Sequence, residues 1–165
     1  MSAMPHEDPE EKTPWLDARQ EQVWRRWMRA SSQLYRYLDE DLRPHGLGLS
    51  EYDVLVNLAE AEEHRLRMGE LAELVHMSRS RLTHTVSRME SQGLVQRRTA
   101  SHDRRGVLAV LTEDGASLLS SAAADHVRAV RRSFIDAIGP ADLAAVDRSM
   151  AAVIAATDPA SDHQA

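Results

Sequence analysis

The 165-residue chain is 42% apolar and 28% charged, the balance of a water-soluble globular protein of one domain or a small two-part subunit. It has no cysteine, which excludes disulfides, thiolate zinc sites and thiol-based oxidant sensing. Its net charge of −6 speaks against indiscriminate nucleic-acid binding, and no apolar run approaches the roughly 20 residues needed to cross a bilayer.

Residues 1–14 are rich in proline and acid, so a disordered arm is expected. This polar start is not that of a signal peptide, and a cytoplasmic location follows. From Trp15 to Leu42 apolar residues recur at three-and-four spacing, the period of a long helix, which Arg43-Pro44-His45-Gly46 ends. Its stripe carries Trp15, Trp24, Trp27, Tyr35 and Tyr37. A small domain cannot cover such a face alone, so a partner subunit is expected. A second helix is expected from Ser50, with Asp53 in a capping-box-like arrangement. Glu60 to Arg67 reads as a charged break. Met68–Val75 reads as a short helix with Leu71, Leu74 and Val75 inward.

Ser78 is a good N-cap for the next helix. Leu82, Val86 and Met89 mark its buried face, and Gly93 is placed to stop it in a left-handed turn. The outer face carries Arg79, Ser80, Arg81, Thr83, His84, Ser87 and Arg88. Together with the short helix before it, this makes a helix-turn-helix. Leu94-Val95 and Val107–Leu111 flank a polar turn, as in a two-stranded hairpin. Thr112 then caps another long helix, with Glu113 and Asp114 favourable against its dipole. Its stripe is Leu118, Leu119, Ala122, His126, Val127, Val130, Phe134, Ile135 and Ile138. Gly139-Pro140 breaks it. A last helix over 141–156 has Leu143, Val146, Met150, Val153 and Ile154 on its inner side, and 157–165 reads as a frayed tail.

Between His76 and Gly106 seven arginines stand against two acids, a local +5 inside a chain of −6, so the remainder carries −11. A basic island on an acidic protein points to a localised polyanion site. A helix, turn and hairpin carrying that island point to double-stranded DNA.

The order of elements resembles the MarR family of bacterial transcriptional regulators. So do Gly69-Glu70-Leu71-Ala72, the run from Arg81 to Gly93-Leu94-Val95, and the segment from Asp103-Arg104-Arg105-Gly106 to Thr112-Glu113-Asp114-Gly115. The resemblance spans about residues 20–155. It implies a mainly α fold with a small β-hairpin wing, a winged helix-turn-helix carried by N- and C-terminal dimerisation helices. The parts would be a dimerisation helix at 15–48, a DNA-binding lobe at 49–112 and C-terminal dimerisation helices at 113–156. The function implied is that of a homodimeric regulator, commonly a repressor, on a near-palindrome whose half-sites lie about one helical turn apart, roughly 34 Å.

Ser78, Arg79, Ser80, Arg81, Thr83, His84 and Ser87 would then face bases or phosphates in the major groove. The family often has arginine where this chain has His84. Arg88, Arg97 and Arg98 suit phosphate contacts or internal ion pairs. Arg105 matches the arginine the family sends into the minor groove, Asp103 the acid that fixes it, and Arg104 a backbone contact. Many relatives release DNA on binding a small aromatic or phenolic anion. The corresponding cleft here would draw on Trp24, Trp27, Tyr35, His45 and Tyr52. Asp53 falls at the acid position of the urate-binding relatives, but Thr85 stands where their recognition-helix arginine is expected. No metal site is expected, because the eight histidines show no pair at ligand spacing on one helix. No cofactor is expected. Phosphate-binding loops and nucleophile elbows are absent from the sequence, so an enzyme is not expected. The alternative is a winged-helix module that binds protein instead of DNA.

Overall fold

The computed structural model describes residues 13–100 and 103–157, the side chains of Ala100, Asp103, Arg104 and Arg105 excepted. The acidic arm and the tail thus lie almost wholly outside the described residues. Two compact units divide the chain, 1–33 and 34–165.

Helix α1 spans Ala18–Leu42, starting three residues later than the apolar spacing suggested. Asp17 explains the start. Its carboxylate accepts the N–H groups of Arg19 and Gln20, both at 2.8 Å, while Gln20 Oε1 accepts the N–H of Asp17, a reciprocal cap. After a 3-10 turn at Arg43–His45, Gly46 takes a left-handed φ of 72°. Helix α2 runs Leu49–Glu60 and is capped two residues earlier than expected. Gly48 is its N-cap, and Glu51 rather than Asp53 reaches back to the Gly48 N–H at 2.6 Å.

The charged break holds a short strand, β1, Arg65–Arg67. It is followed by α3 (Met68–Leu74), α4 (Arg79–Ser91), β2 (Val95–Ala100) and β3 (Asp103–Leu111). The expected two-stranded hairpin is present as β2 and β3, and β1 adds a third strand to its sheet. β3 lies centrally, with Leu66 opposite Ala109 on one side and Arg97 opposite Ala109 on the other. Helix α5 (Glu113–Val130) continues through a π-helical stretch at Arg131–Ile135 into the short α6 (Asp136–Ile138), and α7 spans Pro140–Thr157.

The core sits where α2, α3, α4 and the sheet meet α5. Leu55, Leu58, Leu71, Leu82, Val86, Met89 and Val95 are wholly enclosed there. Leu74, expected inward, is 48% exposed because the inward face of α3 is centred on Leu71 and Ala72, with Val75 following them against the core. Alanine at 122 and 129 fills the buried side of α5, while Val127 faces outward. No residue of α7 is buried, and Val153 and Ile154 are exposed, contrary to the inward face assigned to that helix. On α1 only Leu42 is buried, leaving Val23, Trp24, Trp27, Met28, Tyr35 and Tyr37 uncovered.

Candidate nucleic-acid interface

Helix α4 is built from both ends. Ser78 Oγ accepts the N–H of Arg81 at 3.2 Å, satisfying one of the free donors of the first turn. Gly93, at φ 77°, turns the chain out after Gln92. Leu82, Val86 and Met89 have no exposure, and Thr85 is buried beside them. That rotation leaves Arg79, Ser80, Arg81, Thr83 and His84 exposed and Ser87 half-buried. An open hollow of about 490 Å³ adjoins α4, lined by Met68, Glu73, Arg79, Thr83, Gly106 and Val107 among others. The first half of α4 and the Gly106-Val107 stretch of the wing therefore line the same hollow.

The arginines of the basic island fall into distinct classes. Among the described residues the Arg79 guanidinium has no hydrogen-bond or ion-pair partner. Arg81 Nη2 donates to Ser50 Oγ at 3.2 Å. Arg88 donates through Nε at 2.8 Å, and through Nη2, to Glu51 Oε1. Arg97 wraps Glu90, its backbone N–H donating to Oε1 at 2.9 Å and its Nε to Oε2 at 2.8 Å. That backbone bond, followed by the guanidinium, holds the Glu90 carboxyl below its ordinary range. Arg98 Nη2 donates to the neutral Gln96 Oε1 at 3.1 Å. The side chains of Asp103, Arg104 and Arg105 lie outside those described. Arg88 and Arg97 are thus engaged in tying α4 to α2 and to β2. Internal ion pairs were one of the two roles the sequence offered for Arg88 and Arg97, but the partner of Arg88 was not legible, because Glu51 lies 37 positions away. Thr83 Oγ1 also donates inward, to the Arg79 carbonyl at 2.8 Å, so toward a ligand it offers lone pairs.

The five residues expected to line an effector cleft have separate settings. Trp24 and Trp27 stand exposed on α1 within the first unit. In the second, the Tyr35 hydroxyl bonds Ser50 at 3.1 Å. His45 Nε2 lies 3.1 Å from Asp125 Oδ2, and that carboxylate also pairs with Arg128. Tyr52 is core, its ring centroid 4.3 Å from that of His126.

The chain matches the sequence model of the MarR family over residues 45–106. Among solved structures it is similar to AbsC, a MarR family regulator from Streptomyces coelicolor. The identity is 41%, covering 86% of this chain and 95% of that one, with a TM-score of 0.81. The chain belongs to the MarR family of transcriptional regulators. Sco3205, another MarR family regulator from S. coelicolor, solved in complex with DNA, is 38% identical over 90% of this chain and 97% of its own, with a TM-score of 0.85. The regulator PrsX of Escherichia coli is 31% identical over 88 residues, 53% of each chain. The chain thus spans about half the length of that curated relative. MarR-family proteins being regulators, the chain is not assigned as an enzyme.

In this MarR-family lobe, His126 and Asp53 are half-buried and act on each other's charge. Burial depresses the His126 pKa below its ordinary 6.5, against the opposing pull of Asp41 and Asp53. Burial raises that of Asp53, opposed by His126. As pH falls through 6.5, the unfolded chain takes up the His126 proton first. The stability this group contributes is full above about pH 6.5 and is lost as pH falls toward the folded value. Asp53 has the opposite sign, in a window that opens upward from 3.8. Denaturant titrations of wild type and His126→Gln between pH 7.5 and about 5 should show a shallower slope for the variant. Identical slopes would contradict the assignment.

Proposed function

We propose that this MarR-family regulator binds a near-palindromic DNA duplex as a homodimer and represses the genes beside it. Each α4 enters a major groove, and each wing reaches the adjacent minor groove through Arg105. The observation that carries the reading is the exposure of Arg79 and Arg81 on the first half of a rigidly capped helix. That half-helix lines one hollow together with Gly106 and Val107 of the wing. Sco3205, solved with DNA, supports it at 38% identity. Ser80, Thr83, His84 and Ser87 supply shorter base or phosphate contacts, and Arg98 and Arg104 add phosphate contacts. The uncovered apolar faces of α1 and α7 support the homodimer, since apolar residues gathered along one helix, unlike single scattered ones, mark a surface that a partner covers. Release of DNA by a small aromatic or phenolic ligand is the control proposed, Trp24 and Trp27 being the exposed aromatics that would stack on it.

Titration of a labelled duplex from the chain's own promoter region tests the reading. Nanomolar affinity is expected, with log K falling steeply against log salt and a large preference over a random duplex. Equal affinity for the two duplexes would contradict sequence-specific regulation and favour a winged-helix module that binds protein.

A further inference from the structure

Three helices meet at one hydroxyl. Arg81 of α4 donates from Nη2 to Ser50 Oγ at 3.2 Å, and the hydroxyl of Tyr35, on α1, lies 3.1 Å from the same oxygen. We propose that Ser50 and Tyr35 are positioning residues that set the direction of the Arg81 guanidinium for base discrimination. The proposal rests on the DNA-binding reading above.

The chemistry suits the role. A guanidinium has five N–H donors and no acceptor, while a serine hydroxyl has two lone pairs and one proton. Accepting from Arg81 leaves Ser50 one lone pair and its proton, enough to hold the Tyr35 hydroxyl in either sense. Only one Arg81 donor is consumed, so the rest of the planar fork remains for a base edge. Bidentate contact with guanine demands that the plane be aimed. An untethered arginine must lose its rotamer freedom when it meets DNA, whereas a tethered one has lost much of it beforehand.

The anchor itself is firm. Ser50 sits in the first turn of α2, where the Leu49 N–H is held by Asp39 Oδ1 of α1 at 2.9 Å and the Gly48 N–H by Glu51. The next residue, Glu51, grips Arg88. Arg81 and Arg88 are seven apart, two turns along one face of α4. Two consecutive residues of α2 therefore hold α4 at two levels. The lower grip joins a buried carboxylate to a cation and maintains the packing. The upper grip joins a neutral hydroxyl to an exposed cation, and so acts on direction rather than on cohesion.

The test compares full-length wild type, Ser50→Ala, Ser50→Thr, Tyr35→Phe, Arg81→Ala and the double variant Ser50→Ala/Arg81→Ala. Affinity is measured for the duplex enriched from a randomised pool and for a random duplex, across a salt series, with thermal unfolding alongside. Ser50→Ala should lower the ratio of the two affinities by about 3- to 10-fold, the worth of one hydrogen bond. Its random-duplex affinity and salt slope should stay put, because no charge is removed. Ser50→Thr should retain the ratio, Tyr35→Phe should lower it less, and the double variant should match Arg81→Ala. An unchanged ratio in Ser50→Ala, with a reduced one in Arg81→Ala, overturns the proposal and leaves DNA reading intact. Equal loss on both duplexes together with a lowered unfolding temperature shows a merely structural serine, and also overturns it. A wild type that does not discriminate removes the reading and the proposal together.

Discussion

Gly115→Ala should destabilise the protein by about 3 kcal/mol, lowering its unfolding midpoint by roughly 6–12 °C. In an ordinary helix the same change helps, by about 1 kcal/mol. Here the first turn of α5 lies against the chain entering β2. A methyl at 115 would overlap the carbonyl oxygen of Leu94 and stand 2.8 Å from Leu111 Cδ1. The first obstacle is backbone, so no rotamer change relieves it. The neighbourhood cannot give way cheaply either. Thr112 Oγ1 donates toward the carbonyls of Gly93 and Leu94, at 2.7 and 2.9 Å, while accepting the Gly115 N–H at 3.0 Å. One threonine thus caps α5 and ties it to the end of α4, and the glycine three residues on permits the approach. Calorimetry checks the result, and a midpoint equal to or above that of wild type would contradict the packing described.

Arg79→Ala should cost about 5- to 150-fold in affinity for the selected duplex, the discrimination of one bidentate base contact. The Arg79 guanidinium has no internal partner among the described residues and is exposed, so stability should change by no more than about 0.5 kcal/mol. Arg88→Ala provides the contrast. It strips both guanidinium bonds from the buried Glu51 carboxylate, and should lower stability by about 1.5–3 kcal/mol with little effect on base preference. Binding isotherms and denaturant curves on the two variants separate reading from packing. Loss of stability without loss of affinity in Arg79→Ala would reverse their roles.

The contrast shows what the sequence could carry. α4 was legible because its cap, its apolar period and its terminal glycine are all local signals within sixteen residues of one another, Ser78 to Gly93. β1 was not, because three residues reading Arg-Leu-Arg show no period, and pairing with β3 alone makes them a strand. The start of α2 was misplaced because its cap is glycine, which leaves no side-chain signal, while Ser50 nearby resembles one and is used elsewhere. The stripes on α1 and α7 showed that apolar faces exist but not what covers them. Among the described residues, Leu42 alone of these two helices is buried. Charge counting located the island but could not sort its members. Glu51, outside the stretch that was counted, engages Arg88 from a different helix.

Selection from a randomised duplex pool by full-length protein, followed by sequencing, reaches the central claim most directly. An enriched motif with two inverted half-sites, their centres about 34 Å apart, is the result expected of paired α4 helices in successive major grooves. Under Arg79→Ala, enrichment should weaken at the same base position in each half-site. A folded protein that enriches no sequence, or one whose motif is indifferent to Arg79, would contradict it.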